Sequence, residues 1–388
     1  MSKNWKTKLI HSDSTIPQGY RSLASPTFRG STTLFRSAAA VKDDWDQKRV
    51  GYTYGLYGTP TVMELAARVS ELETGKHTIL TPGGQAAISL INLALLQSGD
   101  HLLVPASVYY PNRKLATRLL SRFGVSTDFY DPLEGGNIAS LIQDNTKLIW
   151  CESPGSITME VQDIPAITEA AHARKVRVVL DNTWSAGILF DAFAHGVDIT
   201  MQALTKYIGG HSDVLLGSVT VRDDSLYQRL GAAQQVLGSA VSPDECSLAL
   251  RGLQTLGVRL AAIESSALEI AKWLAARPEI EYVLHPALES CPGHQYWQRD
   301  FLGSTGVFSL VFKPGPTQPQ VFAFVDALQL FGTGYSWGGV ASLAVAYKMG
   351  HTPGRPSYDH RIVRLSIGLE ATTDLIADLE QALQKVRS

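Results

Sequence analysis

The stretch Lys147-Leu-Ile-Trp-Cys-Glu152, followed by Ile164-Pro-Ala-Ile-Thr-Glu-Ala-Ala-His-Ala-Arg174 and then by Val176-Arg-Val-Val-Leu180 with Asp181 behind it, decides the fold. Two short apolar runs flank a segment of helical period, so the unit reads as strand, helix, strand. Strands apolar on both faces lie inside a sheet that helices cover from both sides. Working outward, His101–Pro105 and Ser126–Tyr130 read as further buried strands. Glu64–Thr74, Gln85–Gln97 and Arg113–Arg122 read as helices. The alternation predicts an α/β architecture built on a mostly parallel sheet. From about residue 253 a long helical pattern runs to near Pro278, and shorter mixed elements follow, as in a smaller C-terminal α+β domain. Residues 1–58 show little periodicity and read as an extended arm that needs another surface for its aromatics. The expected division is an arm at 1–58, a large domain at 59–252 and a small domain at 253–388.

Composition narrows the function. The chain has 388 residues, 45% hydrophobic and 18% charged, as in an ordinary globular enzyme. A formal net charge of −2 with no sustained basic run argues against nucleic acid as the main partner. The opening MSKNWKTKLIHSDS lacks the apolar stretch of a signal peptide, and no later apolar run would span a bilayer. Cys151, Cys246 and Cys291 are too few and scattered for a disulfide framework or a zinc cluster, so no metal is expected. A reduced, cytoplasmic protein is the expectation.

Three positions fall at strand ends, where open α/β sheets place their sites. The turn Gly83-Gly84-Gln85 opens a helix, whose first N–H groups and dipole favour a phosphate. No GxGxxG pattern is present, which speaks against a dinucleotide domain. Asp181 ends an apolar strand, and a turn cap is the plainer reading of such a carboxylate. Lys206 follows Asp198-Ile-Thr-Met-Gln-Ala-Leu-Thr205 and precedes Tyr-Ile-Gly-Gly-His-Ser-Asp, which does not resemble an exposed charged face. Together the three suit pyridoxal 5'-phosphate (PLP). Its chemistry needs a lysine amine of lowered pKa for a Schiff base, an acid beside the pyridine nitrogen and a phosphate anchor.

These residues sit in longer motifs: Tyr-Gly-x-x-Gly-Thr at 54–59, Glu-Ser-Pro-Gly-Ser-Ile-Thr-Met-Glu at 152–160 and Asp-Asn-Thr-Trp at 181–184. Thr-Lys-Tyr at 205–207, Gly-His-Ser-Asp at 210–213 and Arg-Gly-Leu-Gln-Thr-Leu-Gly-Val-Arg-Leu at 251–260 follow. Tyr-Ser-Trp-Gly-Gly at 335–339 and Arg-Leu-Ser-Ile-Gly-Leu-Glu at 364–370 complete the set. Over nearly its full length the chain resembles the Cys/Met-metabolism PLP enzymes, and within them most closely the cystathionine β-lyases. The resemblance implies the type I PLP-dependent transferase fold, aspartate aminotransferase-like, with a seven-stranded sheet. It implies that Lys206 holds the cofactor and shuttles the Cα proton, and that Asp181 pairs with the pyridinium nitrogen. Tyr109 would stack on the ring. Gly84, Gln85 and Thr205 would bind the phosphate, with Tyr54 arriving from a neighbouring subunit. Arg364 would take the substrate carboxylate, Ser336 would position Lys206 or that carboxylate, and Tyr335 and Trp337 would line the substrate pocket.

The implied reaction is β-elimination from L-cystathionine by a homo-oligomer, a tetramer made of two dimers. A broader cysteine-S-conjugate β-lyase is the nearest alternative. A γ-lyase or γ-synthase is disfavoured by Trp337, where the γ-acting relatives usually have Leu. A binding or regulatory protein on the same scaffold is disfavoured by the joint presence of Lys206, Asp181, Tyr109 and Arg364. Two departures bear on the details. Leu56 stands where the family commonly has an arginine for the phosphate, and Val340-Ala341 replaces an aromatic residue and glutamate in the loop after Ser-Trp-Gly-Gly.

Overall fold

The computed structural model describes residues 4–10, 22–350 and 357–387. Seven strands form the larger sheet: β1 (His77–Thr81), β2 (His101–Pro105), β3 (Ser126–Tyr130), β4 (Thr146–Glu152), β5 (Arg177–Asp181), β6 (Ile199–Gln202) and β7 (Gly217–Val221). Their order is β1-β7-β6-β5-β4-β2-β3, and only β7 runs antiparallel to its neighbours. The sheet is therefore mostly parallel and seven-stranded, as expected. β2 and β7 are buried at every residue, which follows from helices packing on both faces.

The second sheet holds five strands: β8 (Ile280–Leu284), β9 (Val307–Phe312), β10 (Gly332–Thr333), β11 (Leu343–Tyr347) and β12 (Ile362–Ser366). Its order is β10-β11-β12-β9-β8, antiparallel except for the β10–β11 pair. The helix Thr372–Arg387 buries Leu375, Leu379 and Leu383 in the core beside this sheet.

Four elements differ from the sequence reading. β3 is a strand as expected but not a buried one: it lies at the sheet edge, and only Tyr130 of its residues is buried. The long helix spans Pro243–Ala275 and so begins well before residue 253. Ser242 caps it by accepting the Asp244 N–H, Pro243 suits the first turn, and Asp244 and Glu245 favour its positive end. Arg113–Arg122 is not one regular helix. An α-helical turn at Tyr110–Lys114 passes into a π turn at Leu115–Leu119 and a 3-10 turn at Leu120–Phe123. The arm is not extended throughout either. Trp5–Ile10 is a helix whose Leu9 is buried and whose Trp5 ring lies against Gly257 of the long helix. A six-residue helix is unstable alone, so this docking explains a helix that periodicity does not reveal. Residues 11–21 of the arm lie outside the described residues.

Candidate active site

The carboxyl ends of β1, β2, β4, β5 and β6 share one edge of the large sheet, and the site is assembled there. β1 leads through Gly83 into the helix Gly84–Leu95, which no side chain caps. Its first N–H groups therefore have no capping side chain, which leaves them available to an anion such as a phosphate. Glycine is needed at 84 because a Cβ there would stand 2.8 Å from the Ala203 Cβ. That close approach sets the helix start against the turn that leads to Lys206. The Gln85 Oε1 is buried without a hydrogen-bond partner. The Thr205 hydroxyl exchanges hydrogen bonds of 3.1 Å with the Leu216 main chain. The donors at this cradle are neutral.

Lys206 sits in the turn after β6, its N–H bonded to the Ala203 carbonyl. Its Nζ lies 2.5 Å from the Ser336 Oγ and 5.4 Å from the Trp337 ring centre. Burial, aided by the charge of Arg364 and opposed by Asp181, brings the ammonium down to about 8. Lysine near 8 is a competent base at mildly alkaline pH. Ser336 adopts φ 82°, a region that costs a non-glycine residue about 1–2 kcal/mol per position. Two residues on, Gly338 also has φ 82°, and a Cβ there would meet the Tyr207 main-chain nitrogen at 3.0 Å. The loop after β10 is thus bent tightly onto the lysine turn, and strain at Ser336 places its hydroxyl on the amine.

Asp181 is the last residue of β5. Its Oδ1 accepts the Thr183 N–H at 3.0 Å and the Thr183 hydroxyl at 2.5 Å. Burial raises its pKa, while Thr183 and Lys206 pull it back. In register beside it on β4 stands Glu152, whose Oε2 accepts the Tyr109 N–H at 2.6 Å. Burial, and then the neighbouring Asp181, pushes Glu152 well up. Arg364 on β12 is 7% exposed, and its guanidinium reaches only weakly, at 3.5 Å, to the carbonyls of Ser156 and Ser336. Such a nearly buried cation with long hydrogen bonds is poised for an anionic ligand. The Tyr347 ring lies 5.3 Å from it.

The structure brings Lys206, Ser336, Trp337, Asp181 and Arg364 together, with Tyr109 tied to them through Glu152. Gly84 and Gln85 start the helix that abuts Ala203, and Thr205 immediately precedes Lys206, so the three residues expected at the phosphate lie beside this group. Tyr335 is at the rim, 81% exposed. Tyr54 stands apart: its ring packs on Tyr57 and its carbonyl accepts the Gln47 side-chain N–H. Three site residues were not singled out from sequence. Glu152 and Ser156 fall inside a quoted motif, but their partners are tertiary. Tyr347 carries no local signal, since it meets Arg364 only through the β11–β12 pairing, in which Val345 lies opposite Arg364.

A buried amine of lowered pKa, a strand-end carboxylate, a helix start with free N–H groups and a cation for a carboxylate fit PLP and an amino-acid substrate. Chain comparison gives the class directly. Residues 6–384 match the family model described as Cys/Met metabolism PLP-dependent enzyme, and the chain belongs to that family. Cystathionine beta-lyase MetC of Escherichia coli is 38% identical, covering 99% of both chains. Cystathionine beta-lyase of Bordetella avium is 40% identical over 93% of this chain and 91% of its own. The crystal structure of metB from Corynebacterium glutamicum superposes with a TM-score of 0.90 at 30% identity, covering 99% of this chain and 98% of that one. The fold expected from sequence, type I with its seven-stranded sheet, is thereby shown.

Proposed function

We propose that the chain is a carbon–sulfur β-lyase that converts L-cystathionine and one water to homocysteine, pyruvate and ammonia. The observation that carries this reading is the Lys206 amine, lowered to about 8 and held by Ser336 between Asp181 and Arg364. The names of the relatives above support it. Bound PLP supplies the sink for the electron pair left at the substrate Cα. Arg364 would fix the substrate carboxylate, which orients the Cα–H bond toward the lysine. Lys206 would remove that proton and later return one, its Nζ steered by the Ser336 hydroxyl. Trp337 and Tyr109 would close the pocket with aromatic surface and exclude water. Gly84, Gln85 and Thr205, with Tyr54 of a neighbouring subunit, would hold the phosphate. The test is pyruvate release across a panel of S-substituted cysteines. Turnover of cystathionine supports the reading, and no pyruvate from any β-substituted cysteine overturns it.

The broader cysteine-S-conjugate β-lyase reading is favoured by Val340 and Ala341. Both are at the surface, and the loop is tied down by the Leu369 N–H on the Val340 carbonyl at 2.8 Å. The nearby Glu370 carboxylate is engaged by the Ser342 N–H and hydroxyl. No charge at 341 is offered to the distal ammonium of cystathionine. A lost charge-assisted contact costs ~1.5–3 kcal/mol, roughly ten- to a hundred-fold in discrimination. Alkyl- and aryl-S-cysteines are expected to compete well, and Ala341→Glu to shift kcat/KM toward cystathionine. An unchanged ratio of the two kcat/KM values would show that the loop does not read the distal group.

The chain is further proposed to work as a cytoplasmic homo-oligomer, a tetramer of two dimers, with the parts 1–58, 59–252 and 253–388. Large apolar side chains are left bare, Leu34 at 91% and Val236 at 86% exposed, which a partner copy would cover. Among the described residues no helix is long and apolar enough to cross a membrane. Sedimentation of the holoenzyme is expected to give a multiple of the chain mass; a fully active monomer contradicts it.

A further inference from the structure

We infer that Glu152 is a positioning residue for the cofactor: it fixes the main chain that carries Tyr109 and adds a second carboxylate to Asp181 where a cationic ring nitrogen would lie. The geometry has two parts. First, the Tyr109 N–H, at the start of the turn Tyr110–Lys114, has Glu152 Oε2 as its acceptor at 2.6 Å. The Tyr109 ring is 42% exposed and has no aromatic partner among the described residues, so its placement depends on its main chain. Glu152 is itself held. Its N–H donates to the Gln162 Oε1 at 2.9 Å, and its side chain is 8% exposed.

Second, Glu152 and Asp181 are paired positions on adjacent parallel strands, so their side chains leave the sheet on the same face. Two buried carboxylates side by side cannot both ionise without a cation. The groups that face the pair are Tyr109 from the loop after β2, Arg364 from β12, and Lys206 beyond Asp181. Arg364 favours the ionised form of Glu152, and Lys206 that of Asp181. A protonated heteroaromatic nitrogen on the Asp181 side would allow both carboxylates to carry charge. The inference rests on the assignment of Asp181 and Tyr109 to the cofactor ring.

The test uses holoenzyme of Glu152→Gln, Glu152→Asp and Asp181→Asn, with far-UV circular dichroism to confirm folding. Two quantities are read: the pH midpoint of the visible band of the bound cofactor, and the PLP dissociation constant from quenching of tryptophan fluorescence. Glu152→Gln keeps an oxygen for the Tyr109 N–H but loses the charge. Its midpoint is expected to fall by roughly one unit, with affinity changed less than about threefold. Glu152→Asp keeps the charge but withdraws the acceptor, and is expected to weaken binding roughly tenfold with little change of midpoint. An unmoved midpoint in folded Glu152→Gln, or unaltered affinity in Glu152→Asp, overturns the inference. Should Glu152→Gln not fold, the affinity of Glu152→Asp decides alone. Asp181→Asn with both quantities unchanged would instead overturn the cofactor assignment itself.

Discussion

Lys206→Ala is expected to release no pyruvate above background from cystathionine, while its far-UV spectrum and melting temperature stay close to those of the parent. The lysine is asked to do two things, to tether the cofactor and to move the Cα proton. General-base catalysis alone is worth about 10²- to 10⁴-fold, so removal of both roles leaves nothing measurable. The fold should survive because burying this ammonium is unfavourable, as its depression to about 8 records. Alanine removes that penalty; the Ser336 hydroxyl loses its amine and the buried Asp181 a neighbouring cation. The visible band of the bound cofactor should change or vanish with the same substitution. Pyruvate production near the parental rate would refute the assignment of this site.

Asp181→Asn separates a cap from a catalytic group. The asparagine Oδ1 can still accept both Thr183 hydrogen bonds, so the turn after β5 should hold. What is lost is the negative charge proposed to pair with the cofactor ring nitrogen. A hydrogen bond to a charged group is worth ~1.5–3 kcal/mol, so turnover should fall by at least roughly ten- to a hundred-fold. The loss should appear in kcat more than in KM, because the charge is needed most when electron density enters the ring. Equal rates in the two proteins would leave Asp181 as no more than a turn cap.

The strands that could be read from sequence are those with a local apolar or β-branched run, whatever their burial. β2 and β4 carry the apolar runs 102–105 and 148–151, and β5 ends in the carboxylate that marks the site. β6 and β7 are buried at every residue yet contain Thr200, Gln202, Ser218 and Thr220, so composition alone conceals them. The start of the long helix was legible in Ser242-Pro243-Asp244-Glu245 but is displaced in a reading that follows apolar period alone. Lys206, Asp181 and the Gly83-Gly84-Gln85 turn stood out because three strand-end features coincide. The roles of Glu152, Ser156 and Tyr347 depend on which main chain or strand faces them, and no local pattern encodes that. Ser336 is intermediate: its residue type was legible, but the strained φ that aims it at Lys206 belongs to the folded loop.

The helix Pro243–Ala275 is a strut shared by the two sheets. At 1.5 Å per residue its 33 residues extend about 50 Å. Leu250, Leu253, Leu256 and Leu260 bed into the core around Tyr207 and Ile208, behind the lysine turn. Ala267, Ile270, Ala271 and Leu274 bed into the core of the smaller sheet. Trp5 packs on the rod within the first of these halves, at Gly257. A rod held in this way along its length transmits rotation instead of absorbing it, so residues 252–253 cannot act as a hinge. The lysine turn and the smaller sheet are thereby fastened to one continuous rod, and the boundary expected at 252–253 falls inside it.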